Sequence, residues 1–166
     1  MRRPEVKKPQ KKDSSLGRPL EMVDVSDKPV VKRVAVAEGE IWLRSETVRM
    51  IRRGSVKKGD VLSAANTAGI LATKKTAELI PLCHLIPLVK VDISFSFHEQ
   101  HITARCTVIG KSKTGVEIEA LVGVSTALLT IWDMVKYLEK DREGQYPHTK
   151  ITEVRILKKM KATTEQ

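Results

Sequence analysis

The stretch VKVDISFSFHEQHITARCTV, residues 89–108, decides the fold. Val89, Val91, Ile93, Phe95 and Phe97 alternate with Lys90, Asp92, Ser94 and Ser96, the period-two pattern of a strand with one face inward. His98-Glu99-Gln100 makes a turn, and the returning strand sets Ile102, Ala104, Cys106 and Val108 on one side. The pair reads as an antiparallel hairpin whose apolar face needs a cover.

Downstream, Thr114-Gly115-Val116-Glu117 has the T-x-x-E form of a capping box, so a helix is expected to begin there. Val116, Ala120, Leu121, Val124, Leu128, Ile131, Val135 and Leu138 carry it at spacings of three and four to about Lys140. A last strand is expected over residues 152–157. Upstream, Pro81 and Pro87 cannot donate to a helical ladder, so the helix before them should end near Ile80. Asp60 can cap that helix, with Leu62, Ala65, Ala68, Gly69, Ala72 and Leu79 at helical spacing. A loop, SVKKG at 55–59, precedes it. Another helix should open at Ser45 as N-cap, with Glu46 in its first turn, and stop near Gly54. Residues 34–43 alternate weakly around Glu38-Gly39-Glu40 and read as a short hairpin or two edge strands. Two long helices against an antiparallel sheet make an α+β two-layer sandwich.

The 166 residues and 41% apolar content suit one domain, taken as 21–160, with a basic tail over 1–20 and a flexible end over 161–166. The net charge of +10 invites a nucleic-acid reading. Half of that excess lies in the tail, where Arg2, Arg3, Lys7, Lys8, Lys11, Lys12 and Arg18 stand against Glu5 and Asp13. The tail also carries Pro4, Pro9 and Pro19 with few large apolar residues, a composition that stays disordered. Two Trp, two Tyr and two Phe are too few for a base-stacking platform, so nucleic acid is not the expected partner. No apolar run approaches the roughly 20 residues of a membrane span, and the first 20 residues hold no secretory apolar core. The chain reads as soluble and cytoplasmic. Cys106 faces the core and Cys83 lies on a connector, so both read as free thiols.

Chemistry is crowded at KKTAELIPLCHLIP, residues 74–87. Cys83 and His84 are adjacent on an extended connector and point to opposite sides, and no further Cys-x-x-Cys or His-x-His completes a ligand set, so no metal is expected. His84 either bonds to backbone at a turn or serves as a hydrogen-bond donor, acid or base. Cys83 has no evident base beside it to make it a nucleophile. Asp133 and Lys136, three apart, share a helix face and could be an ordinary surface ion pair. Their place beside Ile131 and Val135 also allows a partly desolvated lysine, its pKa lowered toward neutrality and so equipped for proton transfer. Glu117 is assigned to the cap, whereas Glu119 has no such duty. Fourteen residues of helix put Glu119 roughly 21 Å from Asp133, so a pocket using both needs a second copy of the chain. Lys57, Lys58, Lys74 and Lys75 are solvated charges or, for a triphosphate, gripping cations on an element able to close.

MVDVS at 22–26, AGI at 68–70 with TKKTAELIPLCH at 73–84, KTGVEIEAL at 113–121 and LTIWDMVK at 129–136 closely resemble the molybdenum cofactor biosynthesis protein C family, cyclic pyranopterin monophosphate synthase. The resemblance runs from about Met22 to Lys159. It implies a ferredoxin-like α+β fold and a homohexamer, a trimer of dimers, with sites at subunit interfaces. The implied reaction rearranges 3′,8-cyclo-7,8-dihydro-GTP to cyclic pyranopterin monophosphate and releases pyrophosphate, a lyase step without cofactor. By matching position, Asp133 and Lys136 carry the family's acid and base pair, and Lys58 its mobile-loop lysine. Leu82, Cys83, His84, Ile118 and Glu119, with Glu117, fall on substrate-contacting segments; Arg33, Lys74 and Lys159 fall on basic positions. The family follows its last lysine with a glycine pair, but this chain reads KKMKATTEQ, which leaves Lys158 and Lys159 as alternatives there. Two other readings compete: a basic RNA-binding protein, which predicts strongly salt-dependent binding lost with the tail, and a scaffold subunit tolerant of alanine at Asp133 and Lys136.

Overall fold

A computed structural model describes residue 17 and residues 19–162, so the tail expectation falls almost wholly outside the described residues. Four strands, β1 (Val31–Trp42), β2 (Leu88–Phe97), β3 (His101–Ser112) and β4 (Lys150–Ala162), form one sheet in the order β2-β3-β1-β4. Every pairing is antiparallel. Helices α1 (Ser45–Arg52), α2 (Val61–Lys74) and the short α3 (Thr76–Leu79) lie between β1 and β2, and α4 (Glu117–Glu139) lies between β3 and β4. A β-α-β-β-α-β chain with this strand order is the ferredoxin-like sandwich, as expected.

The hairpin at 89–108 forms, closed by the His98 amide on the His101 carbonyl at 2.9 Å. Ile102, Ala104, Cys106 and Val108 are fully buried beneath the helices. Val89 departs from the alternation: the register shifts between Leu88 and Lys90, and Val89 is left exposed. A bulge moves one residue off its face without ending the ladder.

Residues 34–43 are not a hairpin. They belong to the central strand β1, flanked by β3 and β4, and Glu38-Gly39-Glu40 continues it. Gly39 is needed because α4 crosses there; a Cβ on it would lie 2.8 Å from Leu128 Cδ1. Glu38 and Glu40 point to the other face, where Glu38 takes Arg105 at 2.5 Å. Small residues also set the distance between α2 and α4. A Cβ on Gly69 would stand 2.8 Å from the Gly123 carbonyl, so the two helices touch backbone to backbone.

Helix ends differ from the reading in three places. Ser45 is the first residue of α1, with Arg44 at the cap, and no side chain of its own bonds there. The carboxylate of Glu139 does that work from the far end of α4, accepting the Arg44 amide at 3.2 Å, the Thr149 hydroxyl at 2.7 Å and the Thr47 hydroxyl. Helix α2 ends at Lys74 rather than running to Ile80; Lys75 leaves helical geometry, and the buried Thr76 hydroxyl takes the Thr73 carbonyl. Asp60 does cap α2, through the Ser63 amide at 3.0 Å. The Thr114–Glu117 capping box does not form: α4 starts at Glu117 behind Val116, and the Glu117 carboxylate is drawn elsewhere.

By length and composition α4 is apolar enough to cross a membrane, with mean hydropathy 1.6 over 18 residues, against the expectation that no run qualifies. Its apolar residues are spent on the core instead. Ala120, Val124, Ala127, Leu128, Ile131 and Val135 are buried against the sheet and α2.

Candidate functional site

Two groups of predicted residues sit at opposite ends of α4. At its start the proline-bounded connector after α3 and the first turn of α4 enclose a cleft of about 260 Å³. Leu82, Cys83, His84, Ile118 and Glu119 all line it, joined by Val23, Val25 and Lys28 from the segment before β1. That segment is tied down from two sides. The His84 ring nitrogen Nε2 donates to the Val23 carbonyl at 2.8 Å, and the Lys113 ammonium donates to the Ser26 carbonyl at 2.6 Å. His84 therefore carries its proton on Nε2 and, when neutral, presents Nδ1 as an acceptor.

Glu119 is 3% exposed, and burial with the neighbouring Glu117 charge holds its pKa above the ordinary carboxylate value. A carboxyl in that condition can give or take a proton nearer neutrality. Burial and the Glu119 charge likewise push the Cys83 thiol up, which argues against a thiolate nucleophile. Neither cysteine is in a disulfide, and burial raises the Cys106 thiol to about 11.

Glu117 does not cap the helix. Its carboxylate curls over Gly115, where any Cβ would overlap it, and meets the Lys159 ammonium at 2.5 Å. Lys159 is registered against buried Ala35, on the helix-covered face, while Lys158 is registered against Val36 on the other face. Of the two candidate lysines, Lys159 is the one directed to this end of α4. Arg33, two residues from Ala35, donates to the Lys113 carbonyl at 3.1 Å and steadies the turn into α4. Lys74 is exposed at the end of α2.

The second group lies near the other end of α4. Asp133 is clamped between two ammonium groups: Lys136 reaches Oδ1 at 2.7 Å and Lys58 reaches Oδ2 at 3.0 Å. Lys58 also donates to the Asp133 backbone carbonyl at 2.7 Å. Hydrogen bonds from Lys136 and then Lys58 lower the Asp133 pKa, and Asp133 raises that of Lys136. The expected lowering of a desolvated lysine is thus reversed. Both side chains stay about half exposed, and the nearest charge to Lys136 is negative. Sequence reasoning missed Tyr137, whose phenol oxygen accepts the Lys57 amide at 3.0 Å; nothing in its pattern distinguishes it from a surface tyrosine. Glu139 was missed as well, because its three partners are remote in sequence.

A larger hollow of about 420 Å³, beside Trp42 and Lys150, holds none of these residues. Among the described residues no group of three or more His, Cys, Asp or Glu could hold a metal ion.

The profile of one family, described as the MoaC family, matches residues 22–162. The chain is 57% identical over 147 residues to a probable cyclic pyranopterin monophosphate synthase of Pyrococcus abyssi, covering 89% of this chain and 92% of that one. It is 58% identical over 142 residues to a protein of the same name from Thermococcus kodakarensis, covering 86% and 91%. A relative from Methanothermobacter thermautotrophicus, 56% identical over 142 residues and covering 86% and 89%, is named a probable cyclic pyranopterin monophosphate synthase accessory protein. Four sequence motifs, the sandwich they build and a match spanning the described body agree: the chain belongs to the MoaC family.

Proposed function

We propose that this protein is a cyclic pyranopterin monophosphate synthase of molybdenum cofactor biosynthesis, converting 3′,8-cyclo-7,8-dihydro-GTP to cyclic pyranopterin monophosphate with release of pyrophosphate. The observation that carries the reading is the Asp133 carboxylate held between Lys58 and Lys136, on a chain whose relatives bear that name over most of their length. Ring opening and reclosure move protons among nitrogen, carbon and oxygen, and closing a cyclic phosphate needs its leaving pyrophosphate stabilised. Lys136, kept protonated by Asp133, starts as a proton donor rather than a base. Lys58 shares the carboxylate and is the second proton carrier. His84 and Glu119 grip the guanine-derived part, with Cys83, Leu82 and Ile118 as cleft walls, while Lys159, Arg33 and Lys74 serve the phosphates. No organic cofactor enters this scheme.

The reading further holds that a site is completed by two copies of the chain, in a hexamer built as a trimer of dimers. Fourteen residues of unbroken helix keep Glu119 and Asp133 roughly 21 Å apart in one copy, longer than a nucleotide can bridge while gripped at both ends. A cytoplasmic location accords with a small-molecule biosynthetic step. The test is pyrophosphate release from the cyclised nucleotide by purified protein. Asp133→Asn and Lys136→Ala should each lose about 10²- to 10⁴-fold in turnover at unchanged melting temperature. Turnover near wild type in either variant removes the assignment.

A further inference from the structure

We propose that Tyr137 is the latch that seats the lysine loop on α4, a positioning residue acting through Lys58; the proposal rests on the reading of Lys58 as a proton carrier given above. Two residues of α4 one turn apart, Tyr137 and Asp133, meet two consecutive residues of the loop, Lys57 and Lys58. The Tyr137 phenol oxygen accepts the Lys57 amide at 3.0 Å, and one residue on, the Lys58 ammonium reaches the carbonyl and carboxylate of Asp133 at 2.7 and 3.0 Å. Among the described residues, the Lys57 amide is the one loop backbone group bonded to α4.

The loop is bounded by two glycine joints. Gly54 has φ +65° and Gly59 has φ +104°, with nothing within 4 Å of a Cβ at either, so both ends of the loop sit on glycines in a backbone region that other residues rarely adopt and no side chain packs against either end. Between them Val56 is buried and the Gly59 amide closes a turn on the Val56 carbonyl at 3.0 Å, which makes the segment a small unit anchored by one apolar side chain. One buried side chain fixes a point but not a rotation. The Tyr137 bond supplies the second point, and with it the direction from which the Lys58 ammonium approaches Asp133.

A hydrogen bond of this type shifts a two-state equilibrium by about fivefold. Tyr137→Phe keeps the ring and removes only the acceptor. In the full-length protein, that variant should exchange the Lys57 amide about fivefold faster, and reductive methylation of Lys58 should speed up by a similar factor. Because the loop is seated most of the time, a fivefold rise in its open fraction removes little of the seated population, so kcat on the cyclised nucleotide should fall less than twofold, with a melting temperature within 2 °C of wild type, since an exposed surface bond contributes little to global stability. In a Lys58→Ala background the same substitution should have no further effect on kcat, because the latch has nothing left to position. An unchanged Lys57 exchange rate and Lys58 methylation rate in Tyr137→Phe overturn the latch. So do kcat losses for Tyr137→Phe and Lys58→Ala that multiply in the double variant. If wild type itself does not turn over the cyclised nucleotide, the functional reading fails, while exchange and methylation still decide the latch.

Discussion

In the proposed reaction, the charge arrangement of Asp133 and its two lysines sets the direction of proton flow. With Lys136 raised above its ordinary value of 10.5 by the carboxylate beside it, the alkaline limb of a turnover profile that depends on protonated Lys136 should lie above pH 10. Neutralising the partner in Asp133→Asn removes the charge that favours the ammonium, so whatever turnover remains should show that limb at lower pH. A limb that stays in place would detach Lys136 from Asp133. Glu119 behaves oppositely. Its folded carboxyl keeps a proton at pH values where the unfolded one, near 4.5, has lost it. Stability associated with neutral Glu119 is therefore full below about 4.5 and is lost as pH rises through the higher folded value. Glu119→Gln should raise the melting temperature of the free protein more at pH 7 than at pH 4, measured by calorimetry at both.

At the scale of elements, what was legible in the sequence was periodic, and what was not was paired over distance. The alternation of residues 89–108 and the three-four spacing after Val116 report burial directly, so the hairpin and α4 were readable to within about two residues, except that β3 runs four residues past Val108 to Ser112. Gly39 misled because glycine between two glutamates has the composition of a turn; its true reason is Leu128 pressing on it, 89 residues downstream. The same holds at the helix ends. Ser45 and Thr114 have the right chemistry for caps, yet the start of α1 is satisfied by Glu139 and the Glu117 carboxylate goes to Lys159, partners that local pattern does not reveal. In the site, Leu82, Cys83, His84, Ile118 and Glu119 were legible through motif resemblance and do converge, while Val23 and Val25 join them only because His84 and Lys113 tie their segment down. Glu139 gives this level its prediction. Glu139→Ala leaves the Arg44 amide and the hydroxyls of Thr47 and Thr149 without their acceptor in a closed environment, which should destabilise the protein by about 3 kcal/mol or more in urea unfolding. A cost below about 1 kcal/mol would mean that water replaces the carboxylate there.

For the whole molecule, the fold separates what the proposed chemistry must bring together. The cleft with His84 and Glu119 lies at the start of α4, and the Asp133 clamp lies about four turns along it. The helix is continuous and one face of it is buried along its length, so no bending within one copy closes that gap. A second copy does, if the start of one α4 lies beside the clamp of another. The central claim is that each working site takes its cleft from one chain and its clamp from a neighbour. Co-expression of Glu119→Gln with Asp133→Asn tests it most directly. Each variant alone should be inactive, but in mixed assemblies about a quarter of the sites draw an intact cleft from one chain and an intact clamp from the other. Pyrophosphate release recovering to roughly that fraction of wild type is the predicted result. A mixture as inactive as either variant alone contradicts the account.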